Sequence, residues 1–327
     1  MKKLFKGAFY TFDLLLVGVG AFYFWAKSPN LKEAEYSKVM TYTDAEASKN
    51  DSVFTLLTYN IGYLSGMLNN QSVKMEKVLF EDNMRRAKEK LSAVNADIIA
   101  FQEIDFNSNR SYKVNQHDEL AKHLKMQYGA IAVNWDKKYL PFPYFPVSAH
   151  YGRIVSGQSF LSKFPIKEHE RIVLEKVESQ PFYYKAMYLD RLAEVAKIDI
   201  NGTEVILINI HTEAFDQTTR INHIEYAQQL FKQYAKSYPV ILLGDFNSDP
   251  DYENAGIKIL LDDPEMGVAC PESELNEGQA VTYYPDNEHL DFIFYTKDRI
   301  ESLEWKVLSD FGDISDHYPV MMKFRFK

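Results

Sequence analysis

The chain has 327 residues, of which 46% are hydrophobic and 14% aromatic, and a formal net charge of −9. That is enough apolar material for one large core or two ordinary ones, and it excludes a disordered or fibrous chain. The negative charge repels polyanions, so nucleic-acid binding would need a local basic groove; the single cysteine, Cys270, excludes an internal disulfide and a thiolate metal cluster.

The first element is an apolar run over residues 8–26 (AFYTFDLLLVGVGAFYFWA), broken chiefly by Asp13. A helix of about 20 such residues crosses the hydrocarbon of a bilayer. Asp13 weakens the span, because a carboxyl inside the membrane is costly unless it is neutral, paired or near an end. Lys2, Lys3 and Lys6 precede the run, so the positive-inside rule puts the N-terminus in the cytoplasm and the rest of the chain on the extracytoplasmic side. A cleaved signal peptide is the competing reading. No small-x-small cleavage site follows cleanly, and Tyr23, Phe24 and Trp25 suit an interfacial belt, which favours an uncleaved membrane anchor over residues 1–26. Residues 27–51 are polar with no sustained apolar period and read as a linker. One folded domain, 52–327, should follow.

Within that domain the apolar runs predict strands at 53–59, 97–101, 159–163, 193–200, 205–210, 240–243, 290–295 and 320–326, and helices at about 81–95, 117–125 and 219–238. In the last helix Ile221, Ile224, Ala227, Phe231 and Tyr234 recur at helical spacing. Several strands stop at polar side chains. The first ends at Asn60, the second at Gln102-Glu103, the 205–210 strand at His211, and the run Val240-Ile241-Leu242-Leu243 at Gly244-Asp245-Phe246-Asn247. Asp291 opens the strand before the last, and Asp316-His317 precede the last one. Taken singly, each is an ordinary turn, cap or solvated group. Together, carboxylates, amides and imidazoles without cysteine make a site for a hard cation and a phosphate.

The motifs Leu57-Thr58-Tyr59-Asn60, Asp97-Ile98-Ile99-Ala100-Phe101-Gln102-Glu103, Asn209-Ile210-His211, Gly244-Asp245-Phe246-Asn247, Leu290-Asp291-Phe292-Ile293 and Ser315-Asp316-His317-Tyr318-Pro319-Val320 stand in this order along the chain. With the stretch 158–166 (QSFLSKFPI), they resemble the endonuclease/exonuclease/phosphatase superfamily. The resemblance covers about 53–326 and implies a four-layer α/β sandwich, two packed mixed β-sheets flanked by helices, with DNase I-like hydrolysis of phosphoester bonds. It implies Mg²⁺, with Mn²⁺ as the other candidate, held by Glu103 as principal ligand with Asn60 and Asp316. It further implies Asp245 aligning or deprotonating the attacking water, Asn247 holding the phosphate, His211 and His317 flanking it as protonated donors, and Asp291 orienting His317. Arg153 and Arg191 are weaker phosphate candidates; His117, His123, His150, His169, His223 and His289 match no motif and read as structural or surface groups, with His150 the foremost exception.

The superfamily leaves the phosphoester open, diester or monoester. The anchor and the aromatic, proline-rich stretch 139–146 (YLPFPYFP) favour a lipid or lipid-linked substrate. The alternative is a nuclease, although Arg85, Arg86, Lys88 and Lys90 read as the solvated face of a helix rather than a groove. A non-catalytic tethered binding domain is a minor third reading. No protein partner is implied, and a monomer is expected.

Overall fold

The aliphatic runs of the sequence pair into two β-sheets packed face to face. The structure is a computed structural model that describes residues 2–43, 52–276 and 280–327. In chain order its elements are α1 (Lys2–Ala26), β1 (Ser37–Thr41), β2 (Phe54–Asn60), α2 (Lys77–Val94), β3 (Ile98–Asp105), α3 (Gln116–Leu124), β4 (Tyr128–Leu140), β5 (Gly152–Ser162), β6 (Ile166–Val173), α4 (Phe182–Lys185), β7 (Leu192–Ile200), β8 (Thr203–His211), α5 (Gln217–Ala235), β9 (Val240–Asp245), α6 (Lys258–Leu261), β10 (Met266–Val268), α7 (Glu272–Asn276), β11 (Asp291–Thr296), β12 (Ile300–Val307) and β13 (Val320–Phe326).

A seven-stranded sheet runs β1-β4-β5-β3-β2-β13-β12 and a six-stranded one β10-β11-β9-β8-β7-β6. Leu56, Ala100, Phe160, Ile198, Leu207, Ile241, Leu243 and Met322 fill the layer between them. The outer face of the first sheet is covered by α2 and α3 through Phe80, Met84, Ala87, Leu91 and Leu120; that of the second by α5 and α6 through Ile224, Ala227, Phe231 and Leu260. The four layers follow from strands that are apolar on both faces, since each sheet needs two covers.

Each sheet contains one parallel pair joined by a helix: β2 and β3 across α2, β8 and β9 across α5. Parallel pairs need such crossovers. They also bring the carboxyl ends of β2, β3, β8 and β9 to one end of the sandwich, where sheet enzymes bind ligands. The helices start and stop where local chemistry directs. Asp216 caps α5, its Oδ1 accepting from the Thr219 amide at 2.8 Å, and α2 ends in the left-handed residue Asn95.

The expected strands are all present, β5 beginning earlier than expected, and β1, β4, β6, β10 and β12 add to them. The reading of 27–51 as a linker needs correction. Asp136 accepts hydrogen bonds from the Asn30 and Leu31 amides at 2.8 and 2.9 Å, and β1 pairs antiparallel with β4, so residues 30–41 are bound to the domain and end in an edge strand of the first sheet. An edge strand with one half-wet face carries little apolar period, which hides it in the sequence. Residues 44–51 of that stretch lie outside the described residues. Helix α1 carries an 18-residue apolar stretch, Phe9–Ala26, long enough to cross a bilayer and almost wholly outside the domain's core.

Candidate active site

The site is built from backbone irregularities at the strand ends. Gly244 has φ +139, and a Cβ there would stand 2.0 Å from the Ile210 carbonyl oxygen. Only glycine lets β9 lie so close to β8, and this places Asp245 directly opposite His211 in the register. In β3 the pairing with β5 shifts between Phe101 and Ile104, and Glu103 sits in that bulge with φ +52. The bulge turns its carboxylate out of the ladder into the cleft. Gly62, φ +52, leaves no Cβ where Asp316 Oδ1 and Ser315 Oγ would lie 2.8 Å away, so the loop after β2 closes on Asp316.

Two carboxylates then converge on one amide. Asn69 Nδ2 donates to Glu103 Oε2 at 3.0 Å and to Asp316 Oδ2 at 3.1 Å. Beside them, Asp245 Oδ2 accepts from Asn60 Nδ2 at 2.9 Å and lies 3.5 Å from His211 Nε2 and 3.8 Å from His317 Nε2. The other Asp245 oxygen accepts from the Asn247 amide at 2.9 Å. His317 Nδ1 donates to Asp291 Oδ2 at 2.8 Å, the pairing the sequence resemblance implies, and the Tyr283 ring packs against the imidazole with centroids 4.9 Å apart. Asn247 Nδ2 donates to the Thr212 carbonyl at 3.1 Å, which fixes its amide at the rim of the cluster.

Burial and then the Asp316 charge push Glu103 up to about 7, while burial raises the Asp245 carboxyl against the opposing pull of His317. Burial works against a charged His317, but Asp291, Asp245 and Asp316 outweigh it and push the ring up to about 10. His211 differs from the expectation of a protonated donor. Burial, the Arg191 guanidinium and the His317 charge hold it well below its usual value, and Arg191 Nη1 donates to its Nε2. The permanent cation at this position is therefore Arg191, which also reaches the Tyr188 hydroxyl at 3.3 Å and Glu213 at 3.6 Å.

The residues suit a hard divalent cation at Glu103 and Asp316. A buried Asp316 carboxylate and a partly buried Glu103 carboxylate drawn onto a single neutral donor form an oxygen-only set with few charges, which suits Mg²⁺. Asn60, expected as a ligand, has its Oδ1 accepting from the Gly62 amide at 3.1 Å and its Nδ2 turned to Asp245, so in this arrangement it steers Asp245. Asp245, Asp291 and His317 also cluster, with potential ligand atoms within 4.8 Å.

A second polar layer ties the sheets together beneath the site. Gln102 Nε2 donates to Asn209 Oδ1 at 2.6 Å, Asn209 Nδ2 donates to Glu194 Oε2 at 2.9 Å, and Glu194 Oε1 lies 2.9 Å from His169 Nε2. His169, His223 and His289 are thus structural, the latter two bonding the Glu175 and Asp291 carbonyls. His150 contacts the Tyr139 hydroxyl and the Tyr144 carbonyl, away from the cluster. His123 is exposed, His117 is buried with neither ring nitrogen bonded among the described residues, and Arg153 lies outward on β5 from Gly157, the partner of Ile104. Asn69 is the residue that sequence reasoning missed: it stands in the 3-10 turn region after β2, within no motif. Arg85, Arg86, Lys88 and Lys90 pair with acidic side chains along and beside α2, the solvated face expected of them.

Residues 57–317 match the model of the Endonuclease/Exonuclease/phosphatase family. A protein of Vibrio cholerae named UPF0294 protein is 30% identical over 129 residues, which are 38% of this chain and 41% of that protein; the chain thus matches about two fifths of the length of that relative. Among solved structures, an endonuclease/exonuclease/phosphatase of Beutenbergia cavernae superposes with TM-score 0.59 at 16% identity, covering 84% of this chain and 72% of that one. The human Nocturnin catalytic domain gives 0.57 at 17%, covering 91% and 100%, and a mannosyl-6-phosphatase of Bacteroides thetaiotaomicron 0.57 at 14%, covering 84% and 100%. At these identities the structural likeness speaks for the fold, and it is the family model spanning most of the chain that decides membership. This chain belongs to the endonuclease/exonuclease/phosphatase family of phosphoester hydrolases.

Proposed function

We propose that the chain is a divalent-metal-dependent phosphoesterase tethered to a membrane by α1, acting on a lipid or lipid-linked phosphoester. The observation that carries the chemistry is the convergence of Glu103 and Asp316 on one point, beside an Asp245 held by Asn60, the Asn247 amide and His317. Mg²⁺, or Mn²⁺, bound by Glu103 and Asp316 would neutralise charge building on the phosphoryl oxygens. Asp245 aligns the attacking water and draws its proton, and Asn60 and the Asn247 amide fix that carboxylate in one rotamer. His317, charged and held by Asp291, donates to a phosphoryl or leaving oxygen. Arg191 supplies the second fixed positive charge and His211 orients it.

The lipid preference is supported by the apolar stretch Phe9–Ala26 and by the loop 141–150, which divides into packed and exposed parts. Phe142 rests on Tyr151 with centroids 5.3 Å apart, while Tyr144 and Phe145 face outward. The lysines that precede the apolar stretch Phe9–Ala26 favour an orientation with the domain on the extracytoplasmic side. The test is the purified full chain in detergent, with Mg²⁺ or EDTA, offered phosphoinositides, sphingomyelin, a generic soluble phosphodiester and plasmid DNA. Lipid turnover that EDTA abolishes is expected; DNA nicking without lipid turnover would overturn the substrate preference.

A further inference from the structure

The end of the sandwich where the candidate site opens is also where the domain exposes its large apolar side chains. Val173 pairs with Leu192, and Leu192 with His211, so the loop 174–191 leaves the six-stranded sheet level with the site. That loop carries Phe182, 76% exposed, and Tyr183. Phe215, 83% exposed, follows His211 by one short turn, and the loop 141–151 carries Tyr144, Phe145 at 80%, and Val147. Single exposed apolar residues are ordinary; six on three loops at one end form a patch that calls for an occupant.

The path of the chain supplies that occupant. Gly157 of β5 pairs with both Ile104 and Val133, which marks the level of the site on the first sheet. Strands β4 and β5 continue past that level to the pair Leu140 and Gly152, an overshoot of roughly 17 Å at the usual strand rise. Traced backward, the chain climbs beside β4 from Thr41 opposite Tyr128 to Ser37 opposite Ala132, then to Asn30 on Asp136 and Ser28 on the Lys138 amide. From there it passes into α1, whose Phe22 and Trp25 rest on Tyr139 with ring centroids 5.7 and 6.2 Å apart. The apolar stretch Phe9–Ala26 therefore leaves the domain from the tip that borders the site. Lys27 lies over the Tyr23 and Phe24 rings at that junction, an amphipathic belt suited to lipid headgroups. A cavity of about 320 Å³ on the same face is lined by Tyr184, Tyr188, Glu213, Phe215 and Arg191, among others, and Arg191 in turn bonds His211.

We infer that the rim formed by Tyr144, Phe145, Val147, Phe182, Tyr183 and Phe215 is a membrane-docking face that sits in the headgroup and acyl boundary of the bilayer holding α1, so that the catalytic cleft opens directly onto that leaflet. This rests on the reading of α1 as a membrane anchor. A site held against the leaflet reaches phosphoesters of lipids in its own membrane and is hidden from large soluble polymers.

The experiment uses the full chain in vesicles of equal parts phosphatidylglycerol and phosphatidylcholine, with an environment-sensitive dye on Phe145→Cys, Phe182→Cys or Phe215→Cys, and on Asp298→Cys at the opposite end of the sandwich as control. The native Cys270 is buried, and burial pushes its thiol up to about 12, so it stays unlabelled. The three rim dyes are expected to shift to the blue and to lose emission when spin-labelled phosphatidylcholine replaces the ordinary lipid, with the control dye unchanged. Rim dyes that match the control, or that shift without being quenched by the labelled lipid, as in contact with a second copy, would overturn the docking face. Turnover in the substrate panel is a separate readout. Lipid hydrolysis with water-exposed rim dyes sinks only the docking face; quenched rim dyes without lipid hydrolysis sink only the substrate reading.

Discussion

Asp245 is the residue on which the site turns, because Asn60 and the Asn247 amide each donate to one of its two oxygens and His317 stands beside them. Asp245→Asn keeps the shape and removes the base, so turnover should fall by about 10²–10⁴-fold, the usual contribution of a positioned proton acceptor; a folded variant retaining most of its rate would show the site to be misplaced. Asn69 holds the Glu103 and Asp316 carboxylates in reach of one another. Asn69→Ala should leave the fold intact and raise the Mg²⁺ concentration for half-maximal rate by about 10–100-fold, as loss of groups behind metal ligands does, and a metal titration of the rate reads this directly. The ordered motifs made eight of the site residues legible in the sequence. Asn69 was not, because an asparagine in a turn looks like any turn residue until the fold brings it between Glu103 and Asp316. The role of His211 was equally hidden, since only the packing of Arg191 against its Nε2 shows that the guanidinium carries the charge.

At the scale of elements, the strands that position the site were readable and the strands at the margins were not. The β9 residues are all buried, as is β2 apart from Thr55, and such strands appear as unbroken apolar runs. Strands β6 and β12 carry charged, half-exposed side chains at or near the sheet edges, and β4 interrupts its pattern with Asn134, Asp136, Lys137 and Lys138, so neither period survives. The close approach of β8 and β9 gives an element-scale prediction. Gly244→Ala puts a methyl into the Ile210 carbonyl and should destabilise the domain by at least about 1–3 kcal/mol, as overpacking a tight interior does; urea unfolding measures it. A gentler change, Asp216→Ala, removes the α5 cap and should cost about 1 kcal/mol without touching turnover.

For the molecule as a whole, its pH response contains a contribution from a histidine outside the chemistry. His117 is buried between α3 and the first sheet with no hydrogen-bond partner on its ring among the described residues, and burial pushes it down to about 4. Its folded value lies below the unfolded value near 6.5, so the unfolded chain takes up a proton first as pH falls and the stability the neutral ring allows is lost from about pH 6.5 down to about pH 4. The variant His117→Phe cannot take up that proton. Relative to the parent it should gain about 1.4 kcal/mol of stability for each pH unit of acidification within that window, and a stability difference independent of pH would show the ring to be charged or solvated in the native state. The four-layer architecture itself was legible from the ordered motifs, whereas the attachment of residues 28–41 to the edge of the first sheet depended on hydrogen bonds that polar sequence does not advertise.

The central claim is that Glu103 and Asp316 hold the cation that makes this site a phosphoesterase. It is tested most directly by the initial rate of the full chain on a soluble phosphodiester across a Mg²⁺ titration, for the parent and for Glu103→Gln. The parent should lose its rate in EDTA and recover it with Mg²⁺, while Glu103→Gln should stay at least about 10-fold slower or need far more metal, given the weight of a principal ligand; a parent rate indifferent to EDTA, or a Glu103→Gln rate equal to the parent's at every Mg²⁺ concentration, would contradict the account.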